Sequence, residues 1–228
     1  MIQNRLTATI FRGASFLFAL IGLLEQMGIF RGKFSLASFM YYTIQSNLLA
    51  FIMFGILLVR TIKGLKEDGI HGRAGYFTRF EMVCTVDLLL TFIVYWVLLA
   101  PRSFSMNGGF NLWTFGNLAV HMITPLLCLV DYILFAETGR IKYRDVYAIL
   151  IYPLSYVLLT TIAGYSGYVY NISAVDGKPV RFPYFFFDYD RIGSGAYTYI
   201  VVLVLLFLVI SHMLYFIDRR WARHLEKK

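Results

Sequence analysis

An all-α, integral-membrane bundle of six transmembrane helices, with both termini cytoplasmic, is the fold this sequence predicts, and three observations carry it. The chain is 59% hydrophobic and only 15% charged, with a mean hydropathy of +0.66, far from the charge-rich balance of soluble domains. Six apolar runs, at roughly 10–30, 38–59, 80–100, 113–135, 145–168 and 197–217, each reach the length of about 20 residues that crosses about 30 Å of hydrocarbon. Basic residues alternate in density between the intervening segments. Of 21 Lys and Arg, fifteen fall at the N-terminus, the 60–79 and 140–144 segments and the C-terminus, and six in the other connections. By the positive-inside rule the crowded side is cytoplasmic.

Each run is then read in turn. The first is too long for the h-region of a cleavable signal peptide, lacks an A-x-A-like site and precedes five more, so it reads as a span. Near its outer end it carries Glu25 and Gln26. The second contains a polar insertion, Thr43-Ile44-Gln45-Ser46-Asn47. Thr43, Ser46 and Asn47 lie at i, i+3 and i+4 and share one helical face. The third and fourth hold the two cysteines, Cys84 and Cys128, which read as buried packing thiols. The fourth also carries Asn117, His121, Thr124 and Pro125 on one face, with Asp131 farther in. Pro125 has no N–H to give to the carbonyl of His121, so that carbonyl is freed and the helix is expected to bend there. With six spans in 228 residues, the whole chain 1–228 reads as a single transmembrane domain.

The net charge of +8 reads as a topology signal with some attraction to anionic lipid, and no pattern points to nucleic acid. No Cys/His spacing suggests a metal, and no cofactor is implied. Residues 60–79 form a basic, Gly-containing cytoplasmic connection. The longest external segment, 169–196, contains RFPYFFFDYDRIGSG (181–195). It reads either as an interfacial aromatic anchor or as a lid over an external opening, with Tyr184, Phe185, Phe186 and Asp188 as gate candidates. An Asn171-Ile172-Ser173 sequon also falls in this segment.

Polar side chains at membrane depth are costly, so they face a bundle interior and tend to mark function. Counted from the expected outer boundaries, Thr43 lies about 8 Å deep and His121 about 12 Å deep on two helices that run in the same direction. A hydroxyl and an imidazole at one level form a possible nucleophile–base pair. Glu25, about 8 Å deep, is placed to orient His121 as a third member, or to pair with Arg31. A free imidazole titrates near about 6.5 and so supplies a neutral base. The alternatives are helix-bridging polar contacts without chemistry, or a polar lining for lipid binding or transport.

The stretches YYTIQSNLLAF (41–51) and NLAVHMITPLLCLVDY (117–132), with FPYFFFD (182–188), resemble the family of the androgen-induced gene 1 protein and the androgen-dependent TFPI-regulating protein. The resemblance covers the whole chain and is greater still to that family's small bacterial relatives, which share the Gln45-Ser46-Asn47 neighbourhood. It implies a multipass threonine hydrolase that cleaves fatty-acyl esters, such as fatty acid esters of hydroxy fatty acids, and a bacterial plasma membrane is the expected location. It also implies Thr43 as nucleophile and His121 as the essential base. Ser46 is then the rival nucleophile, and Asn47 and Asn117 are candidates to steady the oxyanion. Acyl transfer to a second alcohol would be a chemical variant of the same pair.

Overall fold

In hydrocarbon a backbone must satisfy its own hydrogen bonds, and a chain this apolar does so with helices. The computed structural model describes residues 2–102, 111–173 and 175–225; Lys227 and Lys228 of the basic C-terminal group lie outside them. Among the described residues six helices are long and apolar enough to cross a membrane: α1 (Arg5–Gln26), α2 (Tyr42–Asp68), α3 (Thr78–Arg102), α4 (Phe115–Phe135), α5 (Asp145–Tyr165) and α6 (Gly195–Leu225). The all-α, six-span architecture is as the sequence predicts. Both termini lie on one face: Ile2 N–H donates to the Leu134 carbonyl at 2.8 Å, at the end of α4. Asp218, near the end of α6, accepts from Gly139 N–H at 3.0 Å.

Two boundaries differ from expectation in ways that matter. The first span is Arg5–Gln26 rather than 10–30, because Asn4 caps it by accepting from Thr7 N–H at 2.9 Å. The second begins at Tyr42 rather than 38. The apolar stretch Leu36–Met40 is a separate 3-10 turn, started by Ser35, whose side chain accepts from Ala37 N–H. Thr43 therefore sits in the first turn of α2, not five residues inside it.

Helices α1 to α4 form the inner bundle, in which α1 packs on α2 and α4, and α3 packs on the same two. Gly22 sets the crossing of α1 and α4: a Cβ there would stand 2.6 Å from the Cβ of Ala119. α6 packs outside on α3. α5 is tethered through tyrosines, with Tyr152 and Tyr156 against Tyr42 and Tyr156 Oη donating to the Met40 carbonyl at 3.0 Å.

The inner half of the bundle is locked by charge. Arg12 reaches Asp131 with both Nε (2.8 Å) and a terminal nitrogen (3.0 Å), and donates to Thr61 Oγ1 and the Ala74 carbonyl. Arg12 belongs to the bundle interior, fully buried, and is not one of the solvated charges of the basic face. A bidentate guanidinium satisfied on every side is what makes a buried charge tolerable.

The described residues of the 169–196 segment pack against the ends of α5 and α6. Residues Asn171–Ile172 and Pro179–Val180 pair as a two-stranded hairpin. Phe182 packs over Gly164, where a Cβ would stand 2.5 Å from its ring. Phe186 and Phe187 are buried against α6. Arg181 pairs with Asp190. Asn171 itself is exposed.

Candidate functional site

Thr43 Oγ1 and His121 Nε2 lie 3.3 Å apart, both residues buried. The ring of His121 is held from three directions. Nδ1 lies 3.1 Å from the Asn117 carbonyl oxygen. A carbonyl only accepts, so Nδ1 carries the proton and Nε2 presents its lone pair to the Thr43 hydroxyl. The Tyr95 ring stacks on the imidazole, centroids 3.6 Å apart and planes 17° from parallel. The freed carbonyl of His121 accepts from Trp96 Nε1 at 3.2 Å.

Local backbone explains this placement. Residues Ala119–Ile123 of α4 form a π-turn ending beside Pro125, and Tyr95–Leu99 of α3 form a second π-turn facing it. A π-turn inserts one residue into a helix and re-aims its side chains, which is why such turns recur at functional positions. The π-turn ends just before Pro125.

Asn47 joins the two helices that carry the dyad. Its amide donates to the Thr43 carbonyl at 2.8 Å and to the Val120 carbonyl at 3.0 Å. Both amide hydrogens are thereby used, so Asn47 braces the pair rather than presenting a donor to an oxyanion. The Asn117 amide donates to the Leu112 carbonyl at 2.7 Å, and it is the Asn117 backbone oxygen that orients His121. Ser46 shares Thr43's face, yet its hydroxyl turns away, 3.2 Å from the Thr43 carbonyl and 3.1 Å from Thr91 Oγ1 on α3. Glu25 stands 3.7 Å from Arg31, while the Asn117 carbonyl occupies the orienting position on His121. The Arg31 pairing is the one the structure adopts.

The gate candidates separate in the same way. The Tyr184 hydroxyl lies beside both the side chain and the N–H of Thr43, and burial pushes this phenol above its ordinary range, so it keeps its proton. Phe185 lies under the Arg102 guanidinium, 4.2 Å from centroid. Phe186 packs inward toward α6. Asp188 is buried and holds Arg191, its carboxylate 2.6 Å from the guanidinium, and accepts from Arg191 N–H. It fixes the segment's own turn.

Two spaces meet at this point. A cavity of about 300 Å³ on the face away from the termini is lined by Gln26, Ser38, Tyr41, Tyr95, His121 and Tyr184, with Thr43 at its floor. An apolar cleft between α3, α5 and α6 runs from Thr43 and Tyr184 along Leu90, Val94, Leu203 and Phe207. Thr43 and Tyr184 border both. Tyr95, Trp96 and the α2 N-terminus were not singled out in the sequence. The aromatic pair at 95–96 is indistinguishable there from interfacial residues, and a helix start inside an apolar run leaves no compositional mark.

The fold and this interior polar site define a multipass membrane protein. No protein-family model matches the chain, and no curated protein or solved structure matches it either.

Proposed function

We propose that the protein is an intramembrane ester hydrolase that cleaves fatty-acyl esters with Thr43 as nucleophile and His121 as base. The 3.3 Å approach of Thr43 Oγ1 to an Nε2 whose tautomer is fixed by the Asn117 carbonyl carries this reading. The resemblance of the Thr43 and His121 stretches to a family of threonine hydrolases agrees with it.

The reaction proceeds by acyl transfer. Thr43 Oγ1 attacks the ester carbonyl carbon while its proton passes to His121 Nε2. The charge developing on the carbonyl oxygen falls at the start of α2, where the N–H groups of Ile44 and Gln45 are taken by the Tyr41 carbonyl and the Tyr184 hydroxyl lies beside Thr43. There the positive end of the helix dipole and the Tyr184 phenol stabilise it. As the tetrahedral intermediate collapses, the bond to the leaving alcohol breaks and His121 returns the proton to that oxygen. Water from the outer cavity then attacks the Thr43 ester, His121 taking its proton, and the free acid leaves with Thr43 restored.

The test uses purified protein and a fluorophosphonate probe. Wild type is expected to hydrolyse a long-chain ester and to carry the adduct on Thr43. Thr43→Ala and His121→Ala should lose hydrolysis by at least about a hundredfold. Full activity in either variant would refute the assignment, and turnover-free accumulation of lipid in proteoliposomes would favour a transport role.

A further inference from the structure

The apolar cleft beside the dyad opens sideways. α5 and α6 meet at their basic ends, where Asp145–Ala148 lies against α6 and Ser211 Oγ donates to the Val146 carbonyl at 3.1 Å. At the other end Phe185–Phe187 rest on α6, and between the two the cleft is lined by Leu154 and Val157 of α5 and by Ile200 and Val204 of α6. Between these closures Leu154, at the mouth, is 44% exposed. In a bilayer that mouth faces acyl chains.

The hydroxyls along the cleft are nearly all engaged elsewhere. Tyr42 Oη donates to Asp87 at 2.8 Å, Thr91 Oγ1 to the Asp87 carbonyl at 3.0 Å, and Tyr156 Oη to the Met40 carbonyl at 3.0 Å. Two hydroxyls stand together where the cleft meets the outer cavity, Thr43 and Tyr184. A guest therefore meets only dispersion contacts and apolar burial along the cleft, and meets polar chemistry only on reaching Thr43.

Resting on the hydrolase reading, we infer that this cleft is the acyl subsite. The substrate is an ester with a long acyl chain, which reaches the dyad from the bilayer between α5 and α6. Its carbonyl stops at Thr43 and its alcohol portion extends into the polar outer cavity. Val157 on α5 and Val204 on α6 both line the passage and set which acyl chains are accepted.

The experiment compares kcat/KM for p-nitrophenyl hexadecanoate and p-nitrophenyl acetate in detergent-solubilised full-length protein, for wild type, Thr43→Ala, Val204→Trp and Val157→Trp. A tryptophan in the passage is expected to lower the hexadecanoate-to-acetate ratio at least about tenfold, the factor carried by roughly two buried methylenes. The ratio is internal to each variant, so a partly folded preparation does not mimic the effect. With Thr43→Ala inactive on both esters, an unchanged ratio in both tryptophan variants would overturn the acyl subsite alone. Wild-type rates in Thr43→Ala would instead remove the hydrolase reading, and this inference with it.

Discussion

The indole N–H of Trp96 donates to the backbone carbonyl of His121 across 3.2 Å, taking the bond that Pro125 cannot make. One proline thus turns a helix-internal hydrogen bond into a link between α3 and α4 at the imidazole. Pro125→Ala restores an N–H four residues after His121 and lets α4 recover its ordinary ladder. On the proposed hydrolase function, ester hydrolysis is expected to fall roughly tenfold to a hundredfold through misplacement of the imidazole, without a lowered unfolding temperature. Trp96→Phe leaves the carbonyl unpaired and should cost about 1–3 kcal/mol of stability, read by thermal unfolding in detergent.

Ser46 separates nucleophile from bystander. Its hydroxyl is engaged by Thr91 and the Thr43 carbonyl. Ser46→Ala is expected to keep hydrolysis within about threefold of wild type, under about 0.7 kcal/mol of barrier. It should lose about 1 kcal/mol of stability with the hydrogen bond. A loss of activity matching Thr43→Ala would move the nucleophile to Ser46.

Glu25→Gln tests whether a carboxylate assists His121. Because the Asn117 carbonyl holds Nδ1 and Glu25 faces Arg31, the rate is expected to change less than about threefold, under about 0.7 kcal/mol of barrier. A hundredfold loss would place Glu25 in the machinery.

The Arg12–Asp131 pair predicts asymmetry between single and double substitutions. Asp131→Asn or Arg12→Met alone leaves a buried charge without its partner and is expected to destabilise by about 3–5 kcal/mol. Arg12→Met combined with Asp131→Leu removes both charges and should recover most of that loss. Thermal unfolding of the three variants in one detergent decides it.

The outer cover should respond to acid. Hydrogen bonding and charge from Arg181 hold the Asp190 carboxyl below its ordinary range. Its folded pKa therefore lies under the unfolded value of about 3.9. The stabilisation is present above that value and is lost as pH falls through the folded pKa. The pair is exposed, so the effect is small. Limited proteolysis of the 169–196 segment is expected to be flat from neutral pH to about 5 and to rise below about 4, and Asp190→Asn should weaken the dependence, leaving the part carried by Asp176 and Arg191.

Much of this architecture was legible because hydrocarbon imposes few solutions. The six spans followed from apolar length; the meeting of Thr43 and His121 did not follow from counting, because Thr43 lies in the first turn of α2 rather than five residues in. The freed carbonyl of His121 followed from Pro125. Other features depend on contacts that no local pattern records. Leu36–Met40 reads as the start of a span because its side chains are apolar, yet Ser35 caps it as a separate turn. Arg12 reads as a solvated basic residue until Asp131, on a helix distant in sequence, is seen to meet it. The spacing put Ser46 and Asn47 on Thr43's face correctly. Which hydrogen bonds they make depended on α3 and α4, whose rotation the sequence leaves open.

The π-turn at Ala119–Ile123 divides α4 into two parts that answer to different demands. Asp131, on the inner side, is pinned to Arg12, while Asn117 lies on the outer side and His121 within the turn itself. Removing one residue from the turn would swing everything beyond it by about 100°, one residue's share of a helical circle, with the ion pair undisturbed. The chain thus keeps its anchor and its imidazole on separate registers, the outer one held by contacts of its own, Gly22 against Ala119 and the Asn47 amide on the Val120 carbonyl.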